Sequence, residues 1–194
     1  MLWNRRSDAW LGIGMSTGQR NAAIDALEAE GAVVRAEVEG IRSPMFFLAE
    51  DMPMMEAVRE GVLDTKPRLE FLAPLDPMLW DRKLVEALWD YHYKWEIYTP
   101  VNQRKYGCYV LPILYGDRFV GRIESAADRK AATLVVRNIW YEDGVRQTKK
   151  LARAIEGACR RLAKLQYRKT CEIYEKLMEE VNRKYVLIHP DSVE

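Results

Sequence analysis

The sequence predicts a mixed α+β chain in which a winged-helix unit precedes an antiparallel β-rich domain and C-terminal helices. Near the N-terminus, a capped helical pattern is followed by two strand-like runs around a tight turn. In the middle of the chain, strand-like runs are separated by short turns, which favours antiparallel pairing. Beyond Val145, apolar residues recur every three or four positions, which is typical of amphipathic helices.

The first helix is predicted by a capping box. Ser16 and Gln19 form the S-x-x-Q pattern, in which each side chain accepts a hydrogen bond from the other residue's backbone N–H. We expect the helix to run to about Glu30, because Gly31 is a typical residue to end it.

Two strands are predicted to follow this helix, in the runs AVVRAEVEG and IRSPMFFLA, with a turn at Glu39 and Gly40. Pro44 has no backbone N–H, which predicts that the second strand lies at a sheet edge. A helix followed by a two-stranded ribbon has the order of a winged helix. We therefore predict a winged-helix unit over residues 1–50 and a linker helix over 51–70.

Residues 71–194 are predicted to form the β-rich, barrel-like domain and its C-terminal helices. A short helix is expected in DRKLVEALWDY and a hairpin turn at Tyr115-Gly116-Asp117. The long helical pattern is expected to continue through CEIYEKLMEEVNRKY, with a break near Gln166. Four runs are predicted to be strands: YKWEIYT, YGCYVLPIL, RFVGRIES and ATLVVRNIWY.

Composition narrows the classes of protein that this chain could be. No apolar run approaches the roughly 18 to 20 residues of a membrane span, and the N-terminus does not resemble a signal peptide. The three cysteines are scattered and only two histidines are present, so we expect a cytoplasmic protein without a metal or other cofactor. Residues 146–184 hold twelve Lys/Arg against five Asp/Glu, which permits a polyanionic partner.

Two patterns that superficially resemble enzyme sites have simpler explanations. The glycine-rich residues 12–18 lack the preceding strand and the βαβ context of a dinucleotide site, so a turn before the helix is favoured. Asp76, Asp81 and Glu86 could suggest paired carboxylates, but Asp81 is better explained as the start of a helix.

Two segments carry residue types that suit nucleic acid. Gln19, Arg20 and Asn21 begin the first helix and could reach base edges or phosphates. The segment Tyr98–Gly107 is predicted to be a hairpin with two adjacent cations between tyrosines, a combination suited to contact with nucleotides. The alternative is an ordinary solvated turn with Tyr98 and Tyr106 packed inward. The basic residues 146–184 similarly form either a solvated helix face or a phosphate contact.

Residues 71–124 contain motifs that resemble the C-terminal signature of the AlkZ–YcaQ family of winged-helix DNA glycosylases. These motifs are LDPMLWDRK, EIYTP followed by RKYGCYVLPIL, and GDRFVGRIE. Upstream, DAWLGIG, GAVVRAEVEG and FFLAED are also similar, so the resemblance covers about residues 8–165. It implies a double-stranded DNA partner and the metal-independent removal of alkylated or crosslinked bases.

The resemblance also implies which residues act. The catalytic motif implied by the resemblance, glutamine–apolar–glutamine or a variant with aspartate, is absent, so no catalytic residue is assigned to this chain. We expect a DNA-binding part that is inactive by itself, either a fragment or a homologue that kept only the binding half. The expected DNA contacts are Arg104, Lys105 and Tyr106, supported by Arg82 and Arg122. Two alternatives stay open: an enzyme with a different site, and an interaction module that docks a missing N-terminal half or a second copy.

Overall fold

A computed structural model describes residues 1–5, 8–10, 12–63, 66–128, 130–166 and 170–173. The chain divides into two compact units, each with its own sheet. The first unit comprises Met1–Lys66 and Leu75–Tyr93. The second comprises Pro67–Pro74 and the residues from Lys94 onward.

The sheet of the first unit contains β1 (Leu2–Trp3), β2 (Val33–Val38) and β3 (Ile41–Leu48), arranged antiparallel in the order β1-β3-β2. Helix α1 (Thr17–Ala29) begins at Ser16 with both hydrogen bonds of the predicted capping box. The predicted turn between β2 and β3 is also confirmed. Gly40 lies in it with φ of +80°, a conformation that side chains other than glycine rarely adopt.

The expectation that Pro44 places its strand at an edge was wrong, because β3 is the central strand. The two-residue strand β1 pairs only with Met45 and Phe46. On the other side, the register with β2 shifts between Ala36 and Val38, so Pro44 has no register partner in either neighbour. Its missing N–H therefore leaves the described pairings intact.

Two further helices belong to the first unit: α2 (Met52–Arg59) and α3 (Arg82–Trp89). Asp81 caps α3 through a hydrogen bond from the Leu84 N–H at 3.1 Å, which confirms its interpretation as a helix start. The second carboxylate oxygen of Asp81 accepts a 2.7 Å hydrogen bond from the indole N–H of Trp3. This buried contact joins α3 to β1.

The sheet of the second unit has the strand order β4-β5-β6-β7-β8, antiparallel except for the parallel pair β7–β8. In its described residues this sheet is open, with β4 and β8 at its edges, so the barrel-like closure expected from the sequence is not observed. The predicted turn between β5 and β6 is confirmed. The elements are β4 (Leu69–Phe71), β5 (Val110–Tyr115), β6 (Arg118–Asp128), β7 (Thr133–Tyr141), α4 (Lys149–Leu165) and β8 (Thr170–Ile173).

Three further predictions for this unit were wrong. YKWEIYT is not a strand, because the chain forms 3₁₀ turns at Glu96–Tyr98 and Val101–Gln103. The segment Tyr98–Gly107 is consequently not a hairpin, since no strand directly precedes it to pair with β5, which pairs with β4 and β6 instead. Thr170–Ile173 is a strand rather than part of a helix, since it pairs with β7. The remainder of the predicted C-terminal helix, residues 174–194, lies outside the described residues.

Helix α4 covers one face of the second sheet. Its residues Leu151, Ile155 and Cys159 are buried against sheet residues that include Ile113 and Ile123. Side chains alternate between the two faces of a strand. Arg122 therefore points to the face opposite α4.

Candidate nucleic-acid interface

The chain between Lys94 and Gly107, which we call the Glu96 loop, is organised by one buried carboxylate. The Glu96 side chain accepts backbone hydrogen bonds from Lys105 and Tyr106, each at 2.9 Å, and from Gly107 at 3.1 Å. Glu96 is 7% exposed. It therefore ties the beginning of the loop to its end.

The pKa of Glu96 reflects two opposing effects. Burial raises the pKa, whereas the three backbone hydrogen bonds and the positive charge of Lys94 lower it. The lowering effects together are larger, so the pKa lies below the ordinary value for a glutamate. Glu96 is therefore an anion at neutral pH, and its negative charge is stabilised by hydrogen bonds from within the loop.

The two adjacent cations that the sequence singled out have different roles. The Nε of Arg104 donates a 2.8 Å hydrogen bond to the carbonyl oxygen of Thr99, so this half-buried side chain braces the loop. Lys105 is exposed, with its Nζ 4.9 Å from the centroid of the Tyr106 ring. Tyr98 is 89% exposed, so the alternative in which both flanking tyrosines pack inward is wrong for Tyr98.

The end of the loop packs through Tyr106 on Arg122, on the sheet face opposite α4. The Arg122 guanidinium lies 4.2 Å from the centroid of the Tyr106 ring, which meets Trp140 edge-on at 5.3 Å. Arg122 is 4% exposed, and its Nη2 is 2.7 Å from a carboxylate oxygen of Glu142. A buried cation that is already paired in this way holds Tyr106 in place rather than offering charge to solvent.

The residues predicted at the start of α1 are occupied by internal contacts. Arg20 is 8% exposed and donates to Asn4, to the Met15 carbonyl and to Thr17. Gln19 and Asn21 are exposed. The Gln19 side chain accepts from the Ser16 N–H at 2.8 Å, and Asn21 accepts from Asn4.

Arg82, the remaining predicted contact, belongs to the first unit. It is half-buried, with its guanidinium 5.7 Å from the centroid of the Tyr93 ring. The structure therefore brings Arg104, Lys105, Tyr106 and Arg122 together within the second unit, and it places Arg82 with Gln19, Arg20 and Asn21 in the first.

Four exposed cations lie just before α4 or in its first two turns: Arg146, Lys149, Lys150 and Arg153. None of them forms an ion pair with another described residue, and the first turn of α4 has no acidic residue. Positive charge at a helix N-terminus is unfavourable by about 0.3–1 kcal/mol per residue. An anionic partner would relieve this repulsion.

Sequence reasoning missed Glu96, although a signal was present. It is the single charged residue in the run WEIYTPV, whose other residues are aromatic or apolar except for Thr99. A lone carboxylate in such a run is a candidate for burial with hydrogen-bond donors around it. No group of three or more His, Cys, Asp or Glu residues suited to a metal ion occurs among the described residues. No helix in that part of the chain has the length and apolar character needed to span a bilayer.

These features define a mixed α/β protein with two sheets, whose second unit presents a braced, cationic and aromatic loop. The family model described as DNA glycosylase AlkZ-like matches residues 3–165, and the chain belongs to this family. This confirms the resemblance seen in the motifs and associates the chain with DNA repair. No solved structure matches the chain.

Proposed function

We propose that this chain binds double-stranded DNA for the repair activity of its family, with the Glu96 loop as its principal contact. The observation that carries the proposal is that the loop's only acidic side chain is buried and hydrogen-bonded within the loop. Glu96 is buried against three N–H groups, so the charges that reach the surface, on Lys94 and Lys105, are positive. Exposed cations on a fixed backbone suit the regular spacing of phosphates.

The first unit has a supporting role in this proposal. Residues 1–50 act as a winged helix that rests on the DNA through Gln19 and Asn21, α2 (Met52–Arg59) is the linker helix, and the second unit is the β-rich domain. Arg82 adds a further phosphate contact, and Arg20 keeps the start of α1 in shape through its three hydrogen-bond acceptors. The site of action is wherever DNA is accessible, in the cytoplasm or nucleoid.

The same proposal assigns no catalytic residue to this chain. The glutamine–apolar–glutamine motif that the family resemblance implies does not occur in its sequence. The chain therefore contributes DNA binding toward alkylated or crosslinked bases, and cleavage of the glycosidic bond depends on residues that it does not supply.

Charge reversal at Lys105 tests the proposed contact. We expect Lys105→Glu to weaken binding to a short duplex at least fivefold at ~50 mM salt, because one phosphate contact becomes a repulsion. Fluorescence anisotropy over a salt series should also give a log–log slope that is smaller in magnitude by about one. Arg104→Glu should weaken binding as well, with an additional loss of stability because its hydrogen bond to Thr99 is broken.

Arg118→Glu provides the matched control. Arg118 is an exposed cation in the same unit, with 83% of its side chain accessible, but it lies at the far end of β5 from the loop. Both variants change the net charge equally, so a general electrostatic effect would weaken binding in both. Equal losses in the two variants, or no loss in Lys105→Glu, would remove the Glu96 loop from the interface.

A second candidate function is an interaction module that docks a partner subunit or a second copy. It is favoured by exposed apolar residues around α2, where Leu48, Met54, Val58 and Val62 are each at least half exposed. Sedimentation at several protein concentrations distinguishes the two candidates. Self-association that Val58→Glu abolishes supports docking through this surface.

A further inference from the structure

The tip of the Glu96 loop exposes two apolar side chains: Tyr98 is 89% exposed and Val101 is 77% exposed. Tyr109, just after the loop, is 47% exposed. Trp95 links the two tyrosines through edge-on contacts at 6.2 Å and 6.4 Å. Scattered exposed apolar residues are ordinary, but a linked aromatic group on a protruding turn is a surface that a flat partner can cover.

The tip is held in shape before any ligand arrives. Glu96 fixes the chain next to Tyr98 through its three hydrogen bonds, and Arg104 donates across the loop to the Thr99 carbonyl. Pro100 further restricts the backbone between Tyr98 and Val101. The loop therefore loses little conformational entropy when a ligand binds to it.

The polar groups around the tip identify the chemistry of that ligand. Asn102 and Gln103 are exposed amides, which can donate to and accept from the edge of a base. Lys94 and Lys105 are exposed cations, and the only acidic residue of the loop, Glu96, is buried. An exposed ring beside amides and cations fits a nucleobase with its phosphate better than it fits an apolar protein surface or a lipid.

We propose that Tyr98 stacks on a nucleobase that is unpaired or turned out of the helix, while Lys105 contacts a neighbouring phosphate. In intact B-form DNA the faces of the bases are covered by their neighbours, so Tyr98 has no ring to stack on. The loop thus favours DNA with an exposed base over a fully paired duplex. This inference rests on the proposed DNA binding and adds the state of the DNA that is recognised.

The test compares a fully paired duplex with the same duplex carrying one unpaired 5-iodouracil, using the whole chain and fluorescence anisotropy. We expect the wild-type protein to bind the duplex with the unpaired base about fivefold or more tightly. Irradiation should crosslink that base to Tyr98, as read by mass spectrometry, because iodouracil reacts with the aromatic ring on which it stacks.

Three variants complete the experiment. Tyr98→Ala should lose both the preference and the crosslink, whereas Tyr98→Phe should keep both, since stacking requires the ring and not the hydroxyl. Folding is not at risk, because so little of Tyr98 is buried. Leu165→Ala removes another exposed apolar side chain of the second unit, 76% exposed, and should change neither readout.

The outcomes separate this inference from the function on which it rests. Equal affinity for the two duplexes, or a preference that Tyr98→Ala retains, would overturn the stacking role and leave DNA binding intact. An absence of binding to either duplex at low salt would overturn the proposed function and this inference together.

Discussion

Glu96 illustrates how a single side chain can determine the path of a segment. Its neighbours Trp95, Ile97 and Tyr98 all favour strands, and the sequence accordingly predicted one. A carboxylate that is removed from water requires donors, and the N–H groups of residues 105–107 supply three of them. The hydrogen bonds to this anion outweigh the strand propensity, so the chain turns back on itself.

Replacing this carboxylate by an amide should destabilise the protein and its loop. In Glu96→Gln, the amide NH₂ group would face backbone N–H groups, which now donate hydrogen bonds to the carboxylate. We expect the free energy of unfolding at pH 7 to fall by about 2–4 kcal/mol. Urea denaturation measures the loss, and Glu39→Gln, in the exposed turn between β2 and β3, is the control that should change little.

The pH dependence of this loss has a definite sign. The pKa of Glu96 is lower in the folded protein than in the unfolded chain, so the ionised group stabilises the fold above the unfolded value of about 4.3. That contribution disappears as the pH falls through the folded pKa. Glutamine does not titrate, so the difference between the two proteins should narrow below about pH 4. A difference that stays constant from pH 7 to pH 3 would contradict the role of the charge.

Arginines that look alike in the sequence also differ in the structure. Arg20 and Arg122 are buried and engaged by internal acceptors, whereas Arg118 faces solvent. A guanidinium group can be buried where hydrogen-bond acceptors surround it. The acceptors Asn4 and Glu142 are far in sequence from Arg20 and Arg122, the arginines that they bind. The role of each arginine therefore depends on where the fold places its side chain.

Helix α1 shows, at the scale of an element, what local sequence can determine. Its capping box is made by residues three positions apart, so both hydrogen bonds depend only on the local backbone. Ser16→Ala should lower stability by about 1 kcal/mol, because the Gln19 N–H loses its acceptor. Thermal denaturation measures this change.

Ser16→Gly is the matched variant for this element. It should cost only a few tenths of a kcal/mol, since glycine at an N-cap lets water reach the free N–H. If alanine and glycine were equally destabilising, the loss would come from something other than the cap.

Strand β8 and strand β3, which contains Pro44, depend instead on residues that are distant in sequence. Residues 170–173 follow a helical pattern, yet parallel pairing with β7 makes them a strand. Pro44 was expected at an edge, but the short β1 and the register shift of β2 leave room for it in a central strand. Each outcome depends on a neighbouring strand that is distant in sequence, and local periodicity does not contain that information.

At the scale of the whole molecule, the second sheet separates two kinds of surface. The amphipathic face of α4 covers one side, and the Glu96 loop with Tyr106 lies on the other. The exposed cations at the beginning of α4 belong to the helix that covers the first side, whereas Tyr98 and Lys105 belong to the loop. The surface nearest Tyr98 can thus be tested separately from the general basic character of residues 146–184.

The whole chain is expected to bind DNA without chemistry. Incubation with alkylated or crosslinked duplex should release no free base, because no family catalytic motif is present in its sequence. Liquid chromatography with mass spectrometry detects the base, and a thermally depurinated duplex provides the positive control. Release that depends on protein concentration would show that a different site in this chain performs the cleavage.

The sequence by itself determined what depends on neighbouring residues or on long motifs. It predicted the capping box of α1, the turns at Gly40 and Gly116, the start of α3 at Asp81, and the family itself. These features rest on bonds within a few positions of the chain, or on motifs long enough to be specific.

Only the tertiary structure decided the shape of the Glu96 loop, the central position of β3 and the burial of Arg20 and Arg122. In each case, the partners lie many residues apart or on another strand. The free energy of burying a charge, or of leaving an N–H without an acceptor, is set by those partners. A polar side chain therefore has its role fixed only when the fold brings its partners to it.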